Sequence, residues 1–463
     1  MKRTKMYILA SILLGISVAV ELLAQSSIYV GGHFRRERPY TVTTLKSSGF
    51  DCVILFNVNV ETDGTLTTDG DTICYQGKYV FAKKHPYYIS DVKSLKVPPT
   101  SVTRIEICIG GWGNESYDHI KSLINLSGTG SSTTLYKNFK ILKDSIPEID
   151  AVNNDDEHAY DSNTAIRFHV MMAQLGFKSS LAPYTNKSYW TAIATGINNN
   201  IPGTVDRILI QCYDGGAGNN PSDWHINNIP LHAGRLNYQD FNQTKTVMQT
   251  WKNEKDVVGG FFWVYNDETW NLSKYAIMTN SIFGSLLQTP TDSIVAVFCE
   301  DMDYGGYNIN MKLGKYRTLD MVKYGLADND ISSLKVRPGY KITVYRNDNF
   351  TGDSLVFTSS SRWIGDAFND ITSSLKIEQI NNASESMELN ADVVKVYPIP
   401  ANTYLIVKAL EAEYNIVLRD LSDKIVLNTK LMQGDNRIDT SKLPSGLYSI
   451  EGPTFSQKVL ICH

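Results

Sequence analysis

The chain has 463 residues, 42% of them hydrophobic and 20% charged, with a formal net charge of −4. That is an ordinary globular composition, with room for roughly two to four domains. A mildly acidic balance makes the chain a poor candidate for nucleic-acid binding.

The N-terminus differs in kind from the rest. Lys2, Arg3 and Lys5 precede an apolar run over 6–20, and Leu22-Leu23-Ala24 puts a small residue before Gln25. This reads as a secretory signal peptide over 1–24, cut near Ala24, and its apolar run is short for a stop-transfer helix. No lipobox cysteine follows it. Cleavage removes three basic groups and Glu21, taking the net charge from −4 to −6. No other segment approaches membrane-spanning length. Six cysteines remain, none in a CxxC spacing that would suggest zinc. Cys108 and Cys212 sit in apolar strand-like runs and read as buried thiols; Cys52 and Cys74 are a possible disulfide.

Strand-like runs follow at 28–31, 51–57, 104–109, 149–154, 178–182, 207–213, 229–233 and 257–265. Helical patterns lie between most of them, clearest at 135–142, 165–175 and 241–251, where apolar residues recur every three or four positions. Eight strands alternating with helices predict a (β/α)8 barrel over 25–288, with a doubly wound open sheet as the alternative. Polar and aromatic residues gather at the strand C-terminal ends, where barrel sites lie, and this favours the barrel.

The fourth run carries the densest chemistry: Ile149-Asp150-Ala151-Val152-Asn153-Asn154-Asp155-Asp156-Glu157-His158. Strand alternation sends Asn153, Asp155 and Glu157 to one face and Asn154 and Asp156 to the other. Neighbouring carboxyls raise each other's pKa and can keep one protonated near neutrality, as a general acid requires. An acidic turn ahead of a helix gives the same residues a structural use. Elsewhere the signals are weak. His33, His119, His158, His225 and His232 lack metal-ligand spacing, the serine runs at 131–132 and 359–361 lack a nucleophile-elbow setting, and Arg35, Arg36 and Arg38 read as a solvated loop.

After Gly284 helical periodicity stops and a repeat of roughly 40 residues begins. Asp328-Asn329-Asp330-Ile331-Ser332-Ser333 in the first copy matches Asn369-Asp370-Ile371-Thr372-Ser373-Ser374 in the second. Asx-turn chemistry explains the acidic and amide residues but not the paired serines. Residues 380–392 form a polar linker. Strand alternation resumes in 393–463, which opens on Val396-Tyr397-Pro398-Ile399-Pro400-Ala401 and contains a hairpin-like Leu443-Pro444-Ser445-Gly446-Leu447-Tyr448.

Three resemblances organise these features. The 149–158 stretch resembles the DGxDxDxE motif of family 18 glycoside hydrolases, the chitinases and endo-β-N-acetylglucosaminidases, and its Asp-Asp-Glu ending is closest to the N-glycan-cleaving branch. Ala151 departs from Gly and Asn153 from the middle Asp. Cys108-Ile109-Gly110-Gly111 resembles the family's SxGG strand end, Gln211-Cys212-Tyr213-Asp214 its MxYD segment, and 259–265 the strand whose Trp floors the sugar site. The resemblance implies Glu157 as acid and base, with Asp155 and Tyr213 holding the substrate acetamido group. It also implies Asn153, Trp112, Gln211, Asp214 and Trp263 as substrate-binding residues, and needs no catalytic cofactor. Residues 289–379 resemble a pair of βγ-crystallin Greek-key motifs, implying an all-β double Greek-key domain that binds Ca²⁺ through Asp328, Asn329, Ser332, Asn369, Asp370 and Ser373, oxygen donors of the kind calcium takes. Residues 393–463 resemble the type IX secretion sorting domain, a small β-sandwich.

Together these imply a secreted or cell-surface glycosidase. It would act by a retaining, substrate-assisted mechanism on an N-acetylglucosamine-containing glycan or glycoprotein, with the type IX secretion machinery as a further partner and no nucleic acid. The alternatives are a chitolectin-like binding protein that has lost catalysis and a non-enzymatic calcium-dependent surface module.

Overall fold

The computed structural model describes residues 25–265, 271–284, 286–380, 394–397, 401–409, 414–420, 424–452 and 455–463. The expected signal peptide, nearly all of the expected linker, and Pro398, Ile399 and Pro400 lie outside the described residues. The chain divides into two compact units between Gln379 and Ile380.

Eight parallel strands close into a barrel: β1 (Ser26–Val30), β2 (Cys52–Leu55), β3 (Arg104–Gly110), β4 (Ala151–Asp155), β5 (Lys178–Leu181), β6 (Val205–Gln211), β7 (Leu231–Leu236) and β8 (Gly259–Tyr265). Each pairs with its sequence neighbours, and β8 closes on β1 with Ser27 opposite Phe261. All eight runs expected from sequence overlap a strand, and closure rules out the open sheet. Helices connect the strands, among them Ser162–Gln174 after β4, Lys187–Asn200 after β5, Phe241–Glu254 after β7 and Leu272–Phe283 after β8. Acidic or amide N-caps start several of them: Asp161 accepts from Thr164 N at 3.0 Å and Asp240 from Gln243 N at 2.7 Å. Only short 3₁₀ turns join β6 to β7.

Alternation along the strands makes two cores. Val53, Ile107, Val152 and Ile208 pack outward against Phe168, Trp190 and the other helical residues, while Tyr29, Ile54, Cys108, Leu209 and Phe261 fill the interior. Between β2 and β3 the chain inserts four short antiparallel strands that the sequence did not announce, Asn59–Val60, Leu66–Thr68, Asp71–Tyr75 and Lys78–Tyr79. Asn138 of helix Thr134–Ser145 pins this insertion, donating to Gly64 O and accepting from Gly77 N, both at 2.7 Å. Arg35 and Arg38 are not free in a solvated loop: they pair with Asp69 and Asp91. The possible Cys52–Cys74 disulfide is not formed. Both are buried free thiols, Cys52 inside the barrel and Cys74 in the insertion.

Among the described residues the rest of the first unit has two antiparallel sheets and an α-helix, Thr318–Tyr324, which departs from the all-β expectation. One orders Asn308–Met311, Ala296–Cys299 and Ser333–Val336; the other orders Gly314–Tyr316, Ser374–Gln379, Tyr340–Asn347 and Thr351–Phe357. The copies exchange edges. Gly314–Tyr316 of the first copy joins the second sheet, and Ser361 of the second bridges Leu334 in the first. Phe298, Ile331, Leu334, Ile342, Leu375 and Ile377 fill the core between them.

The second unit also has two antiparallel sheets, packed on Leu405, Val407, Ile416, Leu418, Ile450 and Val459. The 443–448 stretch is not a hairpin. It carries the chain from Gly434–Asp439 in one sheet to Gly446–Gly452 in the other, with Tyr448 Oη donating to Pro444 O at 2.8 Å.

Candidate active site at the barrel mouth

The end of β4 sets the site. Gly110 and Gly111 close β3 beside it with φ of +105° and +108°, and a Cβ on Gly110 would stand 2.2 Å from the Asp155 carbonyl oxygen. Glycine therefore lets the two strand ends touch, and Gly111 N donates to Asp155 O at 2.7 Å. Asp155 then turns its carboxylate inward, and Oδ1 accepts from Gln211 Nε2 of β6 at 2.9 Å. Gln211 is itself fixed by a 3.0 Å bond to Ala182 O.

Glu157 and Asp155 share a hydrogen bond, and both carboxyls titrate above their ordinary range. Burial is the first cause for each; for Asp155 the neighbouring charge of Glu157 is the second. Each of two carboxyls so close holds its proton more tightly than it would alone. Asp156 points away, accepting from Tyr189 Oη at 2.7 Å and from the His158, Ala159 and Tyr160 amides. It shapes the turn, and Glu157 is aimed by it.

These groups open into a cavity of about 650 Å³ lined by Asp155, Glu157, Gln211, Tyr213, Asp214 and four aromatic side chains. Trp263 stands edge-to-face to Phe56 with centroids 4.6 Å apart and packs on Tyr29 at 5.3 Å, so its ring is held as a wall of the cavity. Trp112 is 92% exposed at the rim. Burial, then the charge of Asp155, pushes the Tyr213 hydroxyl well up, so it stays a neutral donor. An aromatic wall with converging polar groups suits a sugar ring, apolar on its faces and polar at its edge.

The cavity thus gathers Glu157, Asp155, Tyr213, Trp112, Gln211, Asp214 and Trp263. Asn153 is not among its lining. It is fully buried one layer below, accepting from Tyr29 Oη and donating to Ser180 Oγ, both at 2.8 Å. Phe56 and Tyr184 also line the cavity and were missed. Both follow a strand end, one residue past β2 and three past β5, and aromatic residues there were the available signal.

A second cluster lies in the repeat. The two acidic loops are cross-paired: Asn329 Oδ1 accepts from Ser373 Oγ at 3.3 Å, Asp328 also bonds Ser373, and Asp370 bonds Ser332. Asn329 N donates to Thr372 O and Asp370 N to Ile331 O. One oxygen each of Asp328 and Asn369 is buried without a hydrogen-bond partner. Burial pushes the Asp328 carboxyl up to about 6. No group of three or more His, Cys, Asp or Glu side chains among the described residues could hold a metal, so any cation here would use amide, hydroxyl and carbonyl oxygens as well.

Residues 395–460 match the family of secretion system C-terminal sorting domains. Development-specific protein S homolog of Myxococcus xanthus is 34% identical over 86 residues, 19% of this chain and 48% of that protein. Development-specific protein S of the same organism is 32% identical over 79 residues, 17% of this chain and 45% of that one. The chain spans about half the length of the curated relatives it matches. Among solved structures, a βγ-crystallin domain from Clostridium beijerinckii is 36% identical, covering 18% of this chain and 95% of that one with a TM-score of 0.18. One from Flavobacterium johnsoniae is 30% identical, covering 19% and 99%, with a TM-score of 0.19. The chain is therefore multidomain, with a closed eight-stranded parallel barrel, a region similar to βγ-crystallin domains and a C-terminal sorting domain, which indicates export by the type IX route. Among the described residues no helix is long and apolar enough to cross a membrane.

Proposed function

We propose that the barrel, a (β/α)8 domain over 25–288, is a glycoside hydrolase of the family 18 type that cleaves β-1,4 linkages between N-acetylglucosamine residues. The observation that carries this reading is the hydrogen-bonded Asp155–Glu157 pair opening into a cavity walled by Trp263 and Tyr213. Glu157 protonates the glycosidic oxygen. The 2-acetamido carbonyl oxygen of the sugar attacks C1 as the bond to the leaving group breaks, giving an oxazolinium ion, so the protein needs no nucleophile of its own. Asp155 holds the acetamido N–H, and the Tyr213 hydroxyl donates to its carbonyl side. Glu157 then takes a proton from the water that reopens the ring, restoring the anomeric configuration. A single helix, Phe241–Glu254, joins β7 to β8, so no inserted domain walls the cleft there, which favours the core of an N-glycan over a chitin chain. Incubation with a high-mannose glycopeptide and with chitin oligomers, products read by mass, tests this. Binding of both without cleavage would leave the lectin-like alternative, which Asn153 in place of an acid favours.

The second part of the reading assigns 289–379 to the crystallin-like region and calcium to its loops. The donor set fits: Asp328 and Asn329 face Ser373, Asp370 faces Ser332, and the unpartnered oxygens of Asp328 and Asn369 lack the positive partner a cation supplies. A rise in melting temperature with CaCl2, absent with MgCl2, tests it.

A further inference from the structure

Helix Leu272–Phe283, which follows the Trp263 strand, starts against the first acidic loop. Asn271 is its N-cap: Oδ1 accepts from Lys274 N at 3.1 Å and from Ser273 Oγ at 2.8 Å. The same side chain donates through Nδ2 to the Asp328 backbone oxygen at 3.1 Å. Ser273 Oγ accepts from the Asp328 N–H at 2.9 Å. Both backbone polar groups of Asp328 are thus satisfied by the barrel's last helix, while its side chain turns to Ser373. One residue further on, Lys274 Nζ lies 2.5 Å from Glu300 and 3.7 Å from Asp330, and its charge reaches Asp370 of the other loop. Tyr307 Oη completes the junction, donating to Asp330 at 2.8 Å.

We propose that the first turn of this helix is part of the cation site: Asn271 and Ser273 hold the Asp328 loop in its binding shape, Lys274 sets its affinity, and a bound divalent cation in turn fastens the end of the barrel. The inference rests on the calcium reading above. Its physical content is linkage. A cation binds the loop in the conformation the helix holds, so it stabilises that junction by the same free energy the junction contributes to binding. Lys274 acts in the opposite sense. Its ammonium occupies Glu300 and Asp330 beside the loops and repels a second cation.

The test is amide hydrogen exchange on the full chain in EDTA and in CaCl2, with calcium affinity measured by calorimetry. In the wild type, calcium slows exchange in 328–332, 369–374 and also 272–283, by roughly tenfold in the helix. In the Asn271→Ala/Ser273→Ala double variant the loops are protected and the helix is not. Lys274→Met, which leaves the backbone junction intact and keeps the proposal testable if the double variant fails to fold, binds calcium roughly tenfold more tightly. Protection of the loops with unchanged exchange at 272–283 overturns the proposal and leaves the calcium reading standing. No heat of binding and no protected loop removes the calcium reading and this proposal with it.

Discussion

Gly110→Ala is the most direct probe of how β3 and β4 build the site. The added Cβ would lie 2.2 Å from the Asp155 carbonyl oxygen and 2.6 Å from its carbon, where real contacts stay beyond 3.0 Å. Relief requires the two strand ends to part by about 1 Å, since packed backbone has little room to absorb it. The φ of +105° adds strain of about 1–2 kcal/mol for any L side chain, and overpacking about 1–3 kcal/mol. A total of about 2–5 kcal/mol in a barrel of this size lowers the melting temperature by about 5–15 °C. The Gly111–Asp155 bond is lost, and a displacement of about 1 Å at the reacting groups costs about 100-fold in kcat/KM. Gly113→Ala is the control, because its φ of +71° carries strain but nothing lies within 4 Å of the new carbon. Rates come from glycopeptide cleavage followed by mass, and stability from differential scanning fluorimetry. If Gly110→Ala and Gly113→Ala behave alike in both assays, close approach of the strands is not what the glycine provides.

Glu157→Gln lowers kcat by about 10²–10⁴-fold while calorimetry still registers glycopeptide binding, since only the proton donor is lost; retained turnover would remove Glu157 from its role. Asp155→Asn separates stability from activity. Burial and then Glu157 hold the Asp155 carboxyl well above its ordinary range, so the folded chain keeps a proton that the unfolded chain releases. That contribution to stability is complete below the unfolded pKa of about 3.9 and is lost as pH rises through the folded value. Asn keeps the acceptor for Gln211 but has no charge to bury. The variant therefore gains melting temperature over the wild type at pH 8 and not at pH 4, while losing activity; an equal difference at both pH values would contradict the shift. Asp328→Ala removes the calcium-dependent rise in melting temperature, which in the wild type corresponds to about 2.7 kcal/mol at free calcium a hundred times Kd; an undiminished rise would place the ion elsewhere.

The barrel was legible because its strands are short apolar runs closed by polar ends, a pattern that survives without knowledge of partners. Asp155, Glu157 and Tyr213 were legible for the same reason: each sits at or just past a strand end, where direction follows from alternation. Depth was not. Alternation sent Asn153 to the interior face, yet two residues along a strand is about 6.6 Å, enough to bury it a layer below the cavity it was expected to line. The insertion after β2 escaped because strands of two to five residues carry too little periodicity, and what holds them is Asn138, some sixty positions away. The junction of Asn271 and Ser273 with Asp328 escaped for that reason too. Nothing local to Asn271 says that its amide reaches a loop 57 residues on.

Asn153 alters the charge of the interior without leaving it neutral. Burial alone would raise the Glu106 carboxyl, but Arg104 and Arg207, with the Ser180 hydroxyl, outweigh it and keep Glu106 ionised. An ionised carboxylate only accepts, so Ser180 must donate to it, and Ser180 Oγ is then free to accept from Asn153 Nδ2. That fixes the amide, leaving Oδ1 toward Tyr29, whose hydroxyl must donate. The chain Tyr29, Asn153, Ser180, Glu106 therefore runs one way across four strands and ends on a charge neutralised by two arginines. A carboxylate at 153 would compete with Glu106 for the single Ser180 proton and would have to bring a proton of its own. With an amide there, position 153 accepts from Tyr29, donates to Ser180 and brings no titrating proton of its own.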